Sequence, residues 1–365
     1  MALTNFAKLT NEQKTMWSMD LWKHARNFSF MNQFSGTGTN SMIQRVTELK
    51  KSEKGTRAVL TLLADLEGDG VAGDRTLEGN EEAMKTSEQV IRLDQLRHAN
   101  RSEGRLADQK SIVNFRENSR DVLAYWLADR MDQLAFLTLS GVAYSQTNRG
   151  GTRVGSDFVN LEFAADVAAP SSARVTSWNT TNGLTTSGAT SDDVVAGETL
   201  TWEALVRLKA YAKEQYMRGV RGSGMDEVFH VFMTPKCMAN LKLDPDYLQN
   251  LRHSTQSSVN QNLFSGNAVN VDGLILHEFR HVYNNSANPN WNTNVEGCQV
   301  LFCGAQALAF ADIGAPDWVE KYFDYDNQPG ISCQKFMGFL KPSFESIYSG
   351  NTTQDFGVIS LYVAQ

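Results

Sequence analysis

Two neighbouring elements between residues 57 and 140 constrain this chain most. Two strand-like runs, residues 58–66 and 89–97, are separated by a long acidic loop that is rich in glycine. Directly after them, one uninterrupted helical pattern covers residues 103–140. A globular helix averages about 11–12 residues, and at 1.5 Å per residue this one would reach roughly 55 Å. Because a protruding hairpin and an over-long helix need neighbours to cover them, the sequence predicts a subunit of an assembly.

The charge balance and the lack of targeting signals narrow the class of protein. A net charge of −7 over 365 residues argues against a nucleic-acid reader, which would show a basic stripe. The same charge permits a surface that encloses DNA without holding it. No run approaches the ~20 apolar residues of a membrane span, and the first residues lack a signal-peptide pattern. We therefore expect the chain to stay in the cytoplasm where it is made.

The cysteines predict no disulfide framework. Four cysteines in 365 residues are too few and too scattered for one. We expect all of them to be structural thiols in the core rather than redox or metal-binding groups. These residues are Cys237, Cys298, Cys303 and Cys333.

The first 54 residues are predicted to form an arm. Thr10 and Gln13 make a capping box that would begin a helix ending near Arg26. The segment carries Trp17, Trp22 and several Met and Phe residues, which is too apolar for a tail left in water. It packs either on the chain's own core or on a neighbouring subunit, and the composition leaves both alternatives open.

The rest of the chain mixes helices and strands without a regular βαβ period, which favours an α+β fold over α/β. Residues 146–197 are rich in Ser, Thr, Gly and Asn and are predicted to form an insertion of loops and short edge strands. Helices are predicted for residues 199–218 and 236–243. The further strands are predicted at residues 228–233, 274–283, 299–302, 307–310 and 358–363.

One segment imitates a catalytic motif. His277, Glu278 and His281 match HExxH, in which two histidines on one helix face bind zinc and the glutamate is the general base. The flanking sequence indicates a strand, however, where residues i and i+4 lie about 13 Å apart. A zinc hydrolase is therefore the weaker alternative, and a surface strand with polar side chains is favoured.

The other motifs are incomplete. The acids at Asp65, Glu67 and Asp69 match the start of a calcium loop, but Thr76 stands where a bidentate glutamate is needed. No phosphate-binding loop and no nucleophile elbow is present in the sequence. We therefore predict no enzyme, no catalytic, cofactor-binding or metal-binding residues, and no cofactor.

Three stretches of the chain resemble a known family. They are TMWSMDLWKHARNFSF, GTRAVLTLLADLEGDGVAGDRTLEGNEE and SRDVLAYWLADRMDQLAFLTLSG, and each is similar to the major capsid proteins of tailed bacteriophages in the group typified by coliphage N-four. The run VFHVFMTPKCMANLKLDPDY also resembles the strand–proline–helix that opens the axial domain of the Hong Kong 97 capsid fold. The resemblance covers essentially the whole chain.

The resemblance implies a role for each segment of an α+β capsid fold. Residues 103–140 would be the spine helix, and the Ser/Thr-rich stretch at 146–197 is the part least like the family. The C-terminal strand would return to the peripheral domain. The implied divisions are an N-terminal arm at 1–54, an extended hairpin loop at 55–101, a peripheral domain at 102–198, an axial domain at 199–345 and the returning strand at 346–365.

The implied function is a structural major capsid protein. It would self-assemble into hexamers and pentamers of an icosahedral head that encloses double-stranded DNA without sequence-specific binding. A scaffolding protein, a portal and a decoration protein would be partners. No membrane would be involved, and the product would be a virion assembled in the host cytoplasm. The acidic loop at 67–88 is predicted to meet Arg105, Arg116 or Arg120 of an adjacent subunit. An encapsulin-type compartment shell is the alternative within the same fold.

Overall fold

A computed structural model of the protein describes most of the chain. The described residues are 20–21, 24–25, 29–47, 55, 57–63, 66, 68–83, 86–110, 115–221, 227–254, 269–346 and 352–365. The predicted arm helix and its anchors Trp17 and Trp22 lie outside them, as do Asp65 and Glu67 of the incomplete calcium motif.

The helices predicted for residues 103–140, 199–218 and 236–243 are present, and one further helix, at 245–254, was not predicted. The predicted spine appears as α1 and α2, which begin two residues later than expected, and residues 111–114 between them are outside the described part. The helices are α1 (Arg105–Lys110), α2 (Phe115–Ser140), α3 (Trp202–Glu214), α4 (Pro235–Leu243) and α5 (Pro245–Ser254). Short 3-10 helices occur at Met31–Phe34, Asp157–Asn160, Glu162–Asp166, Ser172–Arg174 and Ser191–Asp193.

The apolar face of α2 lies in the core, as its spacing predicts. Leu123, Leu127 and Leu134 are each no more than 1% exposed, because three- and four-residue steps place them on one side of the helix. Its first turns are more exposed, with Glu117 and Asn118 in solvent, whereas every residue from Leu134 to Ser140 is buried. The burial of α2 therefore increases towards its C-terminal end, which lies in the core.

The strands form two large sheets and two small ones. The first nine are β1 (Ser35–Gly36), β2 (Ile43–Val46), β3 (Arg57–Leu63), β4 (Thr86–Arg92), β5 (Asp94–Arg101), β6 (Val175–Asn179), β7 (Gly183–Thr185), β8 (Val220–Arg221) and β9 (Glu227–Met233). The second nine are β10 (Val269–Val271), β11 (Leu274–Glu278), β12 (Gly297–Cys303), β13 (Leu308–Asp312), β14 (Asp317–Phe323), β15 (Gln328–Leu340), β16 (Ser343–Ser346), β17 (Thr352–Asp355) and β18 (Val358–Ala364).

The first large sheet lies beside α2. Its order is β1–β2–β13–β15–β14, and β5 pairs with β15 as well. The 13-residue β15 holds this sheet together because it pairs antiparallel with β13, β14 and β5. The run predicted as strand 89–97 is thus divided near Leu93: β4 belongs to the hairpin with β3, and β5 belongs to this sheet.

The second large sheet has the order β10–β11–β9–β12–β18–β6–β7, with β8 on β9. The C-terminal β18 lies in its interior, between β12 and β6. All seven residues of β12 are buried, which indicates that both faces of the sheet centre are covered. β11 ends at Glu278 and not at Tyr283 as predicted, because the chain turns there into residues 279–282.

These pairings differ from the segment boundaries implied by the resemblance. The strands at residues 308–340, placed with the axial segment, pair with β2 and β5 beside α2. The strand at 358–364, expected to return to the peripheral domain, pairs with β6, which lies within residues 102–198 of that domain, and also with β12 of the axial segment. One hydrophobic core runs through both sheets and α2, so sheet membership is set by long-range pairing and not by chain order.

The chain that leads into β1 packs on its own core. Asp132 of α2 accepts hydrogen bonds from the Ser29 hydroxyl at 2.8 Å and from the backbone N–H groups of Phe30 at 2.9 Å and Met31 at 3.1 Å. Phe30 stacks on Phe279 with 4.1 Å between the ring centroids. Of the two alternatives for the predicted arm, residues 29–46 therefore follow the first.

The Ser/Thr-rich stretch is held by few strands and many loop contacts. Within 146–197 the structure contains β6, β7 and four 3-10 helices. Trp178 and Phe163 are buried and join the main core. A buried ion pair, Lys341 with Asp355 at 3.1 Å, lies beside it, and Asp355 accepts the Ser171 backbone N–H at 3.1 Å.

Candidate assembly surfaces

The β3–β4 hairpin has one face on the chain and one in solvent. Ala58, Leu60 and Ile91 are buried against Ala309 and Ala311 of β13 in a small second core. Alternation along a strand turns the next side chains outward. Val59 and Val90 are directly opposite each other in the register and are 43% and 42% exposed.

The loop that joins β3 and β4, which we call the acidic tip (residues 66–83), is strongly charged. It holds five carboxylates and one cation among its described residues. Two carboxylates fold the loop back on itself, since Glu82 accepts the Gly68 N–H and Glu81 accepts the Gly79 N–H, each at 2.7 Å. Leu77 is 60% exposed at its centre. The charged residues are Asp69, Asp74, Glu78, Glu81, Glu82 and Arg75.

Two of the three cations expected to meet this tip have partners in their own chain. Arg116 forms an ion pair with Glu320 at 2.8 Å, and Arg120 forms one with Asp121 at 2.8 Å. Arg105 is exposed at the start of α1. Arg116 therefore connects α2 to β14 within the same chain. The sequence alone did not indicate this structural role.

The two histidines of the HExxH motif are in different surroundings. His277 lies on β11, as the strand prediction required, and its Nε2 is 2.9 Å from Nδ1 of His230 on β9. His281 lies beyond the strand, with its Nε2 2.8 Å from Oδ1 of Asp129. This hydrogen bond is the main cause that lowers the pKa of Asp129 to about 2. Each histidine therefore has its own partner.

A polar cavity of about 550 Å³ lies beside His281, and two of the three Lys and Arg side chains in its lining form ion pairs there. Lys236 pairs with Glu296 at 2.8 Å, and Arg280 pairs with Asp129 at 2.8 Å. In the described part of the chain, no group of three or more His, Cys, Asp or Glu side chains is placed to hold a metal ion. The cavity offers no nucleophile–base pair for catalysis.

The cysteines occupy the core. All four are buried. Burial raises the pKa of Cys333 to about 12 and raises that of Cys303 as well, so neither thiol forms a reactive thiolate near neutral pH.

Among the helices that the structure describes, none is long and apolar enough to cross a membrane.

One glycine lets the hairpin rest on the sheet. A Cβ at Gly338 of β15 would lie 2.2 Å from the carbonyl oxygen of Arg92 and 3.1 Å from the Ile91 side chain. Gly338→Ala is therefore expected to push the hairpin base away from β15 and to destabilise the protein by about 1–3 kcal/mol. Urea unfolding measures this loss. Gly38→Ala, where nothing lies within 4 Å of the added atom, is the matched control and should change little. Equal stabilities of the two variants would contradict this account.

Comparison with known proteins identifies the family to which this chain belongs. The sequence profile described as "Phage capsid protein" matches residues 5–365. The chain belongs to this family. It is 59% identical to the major capsid protein of Pseudomonas phage KPP25, over 99% of this chain and 97% of that protein.

Solved structures agree on the fold. The chain is similar to the capsid protein of Ralstonia phage GP4, with a TM-score of 0.75 and 24% identity over 92% of this chain and 91% of that one. It is also similar to the capsid protein of cyanophage Pam1, with a TM-score of 0.70 and 16% identity over 100% of this chain and 96% of that one. The α+β Hong Kong 97 capsid fold predicted from the sequence is confirmed.

Membership in the family identifies a structural major capsid protein of a phage, a component of the virion that associates with its own copies. The protein is a shell component and not an enzyme. The zinc hydrolase and the encapsulin alternatives receive no support from these relatives. The surfaces that matter are therefore those that meet other subunits.

Proposed function

We propose that the capsid protein assembles into hexamers and pentamers that tile an icosahedral head around double-stranded DNA. The observation that carries this proposal is the family match over residues 5–365 together with 59% identity to a phage major capsid protein. Head-to-tail contacts between a protruding hairpin and a second surface are heterologous, and such contacts close into rings when the rotation permits. Rings of six and five subunits then tile a closed shell.

Each segment of the chain would have the role in assembly that the resemblance implies. The hairpin within residues 55–101 would reach over the adjacent subunit, and α1 with α2 would form the spine of the peripheral domain. The axial domain, within residues 199–345, would meet its copies at the centre of each ring. Strand pairing favours adding residues 308–340 to the peripheral domain, whereas residues 358–364 pair with a strand of each domain.

The net charge of −7 suits a container for DNA. A lining that bound many phosphates would hold the packaged DNA by releasing its counterions. A mildly acidic subunit avoids this attraction, so the enclosed DNA stays free to enter and leave. This part of the proposal concerns containment, without sequence-specific recognition.

The proposal also covers the assembly partners of the capsid protein and the phage group to which it belongs. A separate scaffolding protein would direct assembly, a portal would occupy one vertex, and a decoration protein would be a further partner. Assembly would take place in the host cytoplasm, and the chain would belong to the group typified by coliphage N-four. Co-expression with the neighbouring structural genes of the same phage, followed by mass spectrometry of purified particles, tests the partners.

Electron microscopy of the purified protein tests the central proposal. Closed shells, or rings of five and six subunits, are the expected result. Sedimentation should show a species far larger than the 40.6 kDa monomer. Monomers at all protein and salt concentrations, with or without a scaffolding protein, would contradict the proposal.

A further inference from the structure

We propose that the acidic tip of one subunit docks on an uncovered face of the β5–β15–β14 sheet in a second copy of this chain. The inference rests on the proposed assembly and names the contact surface within it. The face is formed by outward residues of three adjacent strands. We call Arg97, Arg101, Val319, Lys321 and Phe323 the basic platform.

The strand register places the platform residues on one side of the sheet. Arg101 and Lys321 are both paired with Gly330 of β15, one on each side. Residues two positions away along each strand share this face. Arg97, Arg101 and Lys321 are exposed, and Val319 is 45% exposed.

The opposite side of the same strands is covered by α2. His98 stacks on Trp126 with 4.6 Å between ring centroids, and Asn100 donates to the Ser119 hydroxyl at 3.1 Å. Glu320 pairs with Arg116. The helix therefore uses one face of the sheet and leaves the platform face to solvent in the subunit.

Two cations of the platform, Arg101 and Lys321, lie against one aromatic ring. The guanidinium carbon of Arg101 lies 4.3 Å from the centroid of the Phe323 ring, and Nζ of Lys321 lies 4.9 Å from it. The ring lies over Gly330, where an added Cβ would be 3.0 Å from a ring carbon. Within the described residues, Arg101 and Lys321 have no carboxylate at ion-pair distance. Two cations on one ring form a flat positive surface with an apolar centre.

The acidic tip fits this surface in charge and in hydrophobicity. Its five carboxylates outnumber Arg75, so the described residues of the tip carry a net charge of −4 (five acids less one cation). Leu77 offers an apolar group to Phe323 and Val319. Within the subunit, the tip and the platform are both exposed, so the occupant that completes both is a second copy. Opposite potentials of this kind steer association and fix register.

A site-directed cross-link tests the contact in assembled particles. Glu78→Cys combined with Lys321→Cys is expected to give intersubunit disulfides, seen as a ladder of dimers and larger species on a non-reducing gel after oxidation. The native cysteines are buried and do not compete. Glu78→Cys with Lys213→Cys is the control, since Lys213 is exposed on α3, away from the platform strands, and should give no ladder.

Charge reversal gives an independent readout. Arg101→Glu with Lys321→Glu is expected to lower the particle yield at least tenfold, and adding Asp74→Lys and Glu78→Lys should restore most of it. High salt should weaken the wild-type contact because exposed charges are screened. Circular dichroism reports whether each variant subunit is folded.

The outcomes distinguish a wrong docking contact from a wrong assembly proposal. Normal particles without a ladder, or folded reversal variants that assemble normally, would overturn the docking contact and leave the assembly proposal standing. A ladder as strong in the Lys213 control would also overturn it. Wild-type protein that stays monomeric, with or without a scaffolding protein, would remove the assembly proposal, and the docking contact with it.

Discussion

Replacing Asp312 by alanine is expected to destabilise the capsid protein by about 3–5 kcal/mol, because the change leaves a buried ammonium group without its carboxylate. Nζ of Lys335 lies 2.5 Å from Oδ1 of Asp312, and both side chains are at most 2% exposed. Arg45 approaches the other carboxylate oxygen at 3.4 Å. One carboxylate thus connects β2, β13 and β15.

Matched variants separate the loss of attraction from the burial of a charge. Lys335→Met should cost less than Asp312→Ala, because Asp312 keeps Arg45 as a partner. Asp312→Ala combined with Lys335→Met removes both buried charges and should recover much of the loss. Urea unfolding with an unchanged m-value measures each difference. A loss below about 1 kcal/mol for Asp312→Ala, or a double variant no more stable than the single one, would contradict this view of the network.

Local pattern was sufficient for much of the secondary structure. The apolar spacing of α2, the two strands of the hairpin and the strand–Pro235–helix unit were each predicted from adjacent residues. In each case the signal was a period of 3.6 or 2, or a proline suited to the first turn of a helix, as at Pro235. The structure adds a cap that was not predicted, since the Thr234 hydroxyl accepts the Cys237 N–H at 3.3 Å. Such signals act within one or two turns of chain and are therefore readable in the sequence.

Strand partners were not readable in the same way. The pattern at β18 indicated a strand but not its neighbours, and nearly all of its residues are buried because it lies inside a sheet. The pattern at residues 89–97 did not show that a new strand begins at Asp94. Pairing between distant segments depends on the whole core, and a one-dimensional period carries no information about it.

The interaction surfaces were predicted in part. The excess of acids in the hairpin loop was visible in the sequence, but its expected cations on α2 pair with Glu320 and Asp121 of the same chain. The platform brings Arg101 and Lys321 together across more than 200 residues of sequence through the pairing of β5 and β14 with β15. Only the register of the sheet shows this juxtaposition.

The stability of the subunit is expected to fall as the pH decreases from about 6.5 to about 4, because His230 and His277 are folded in their neutral form. Burial lowers the pKa of His230 from 6.5 to about 4. Burial, with the neighbouring His230, lowers the pKa of His277 to about 4 as well. The unfolded chain binds protons in this range before the folded one does, so acid favours unfolding.

The aromatic side chains around His230 and His277 explain why their pKa values are lowered and which part of the fold acid should loosen. Phe34 lies edge-on to both rings, at 5.3 Å from His230 and 4.8 Å from His277, and Phe232 stacks on His277 at 5.0 Å. A proton would place a charge among apolar rings, which provide little solvation. Because Phe34 belongs to the segment before β1, acid should loosen the attachment of the N-terminal segment to β9 and β11.

The test compares pH slopes and not absolute stabilities, since carboxylates also contribute to acid unfolding. One pKa unit corresponds to about 1.4 kcal/mol, so the wild-type free energy of unfolding should fall by up to that amount per pH unit for each histidine. His230→Phe with His277→Phe should reduce the slope between pH 6.5 and 4, whereas His98→Phe, at an exposed position beside Trp126, should leave it unchanged. Urea unfolding at several pH values gives the slopes. Equal slopes for the wild type and the double variant would show that the buried pair does not set the acid limit of the fold.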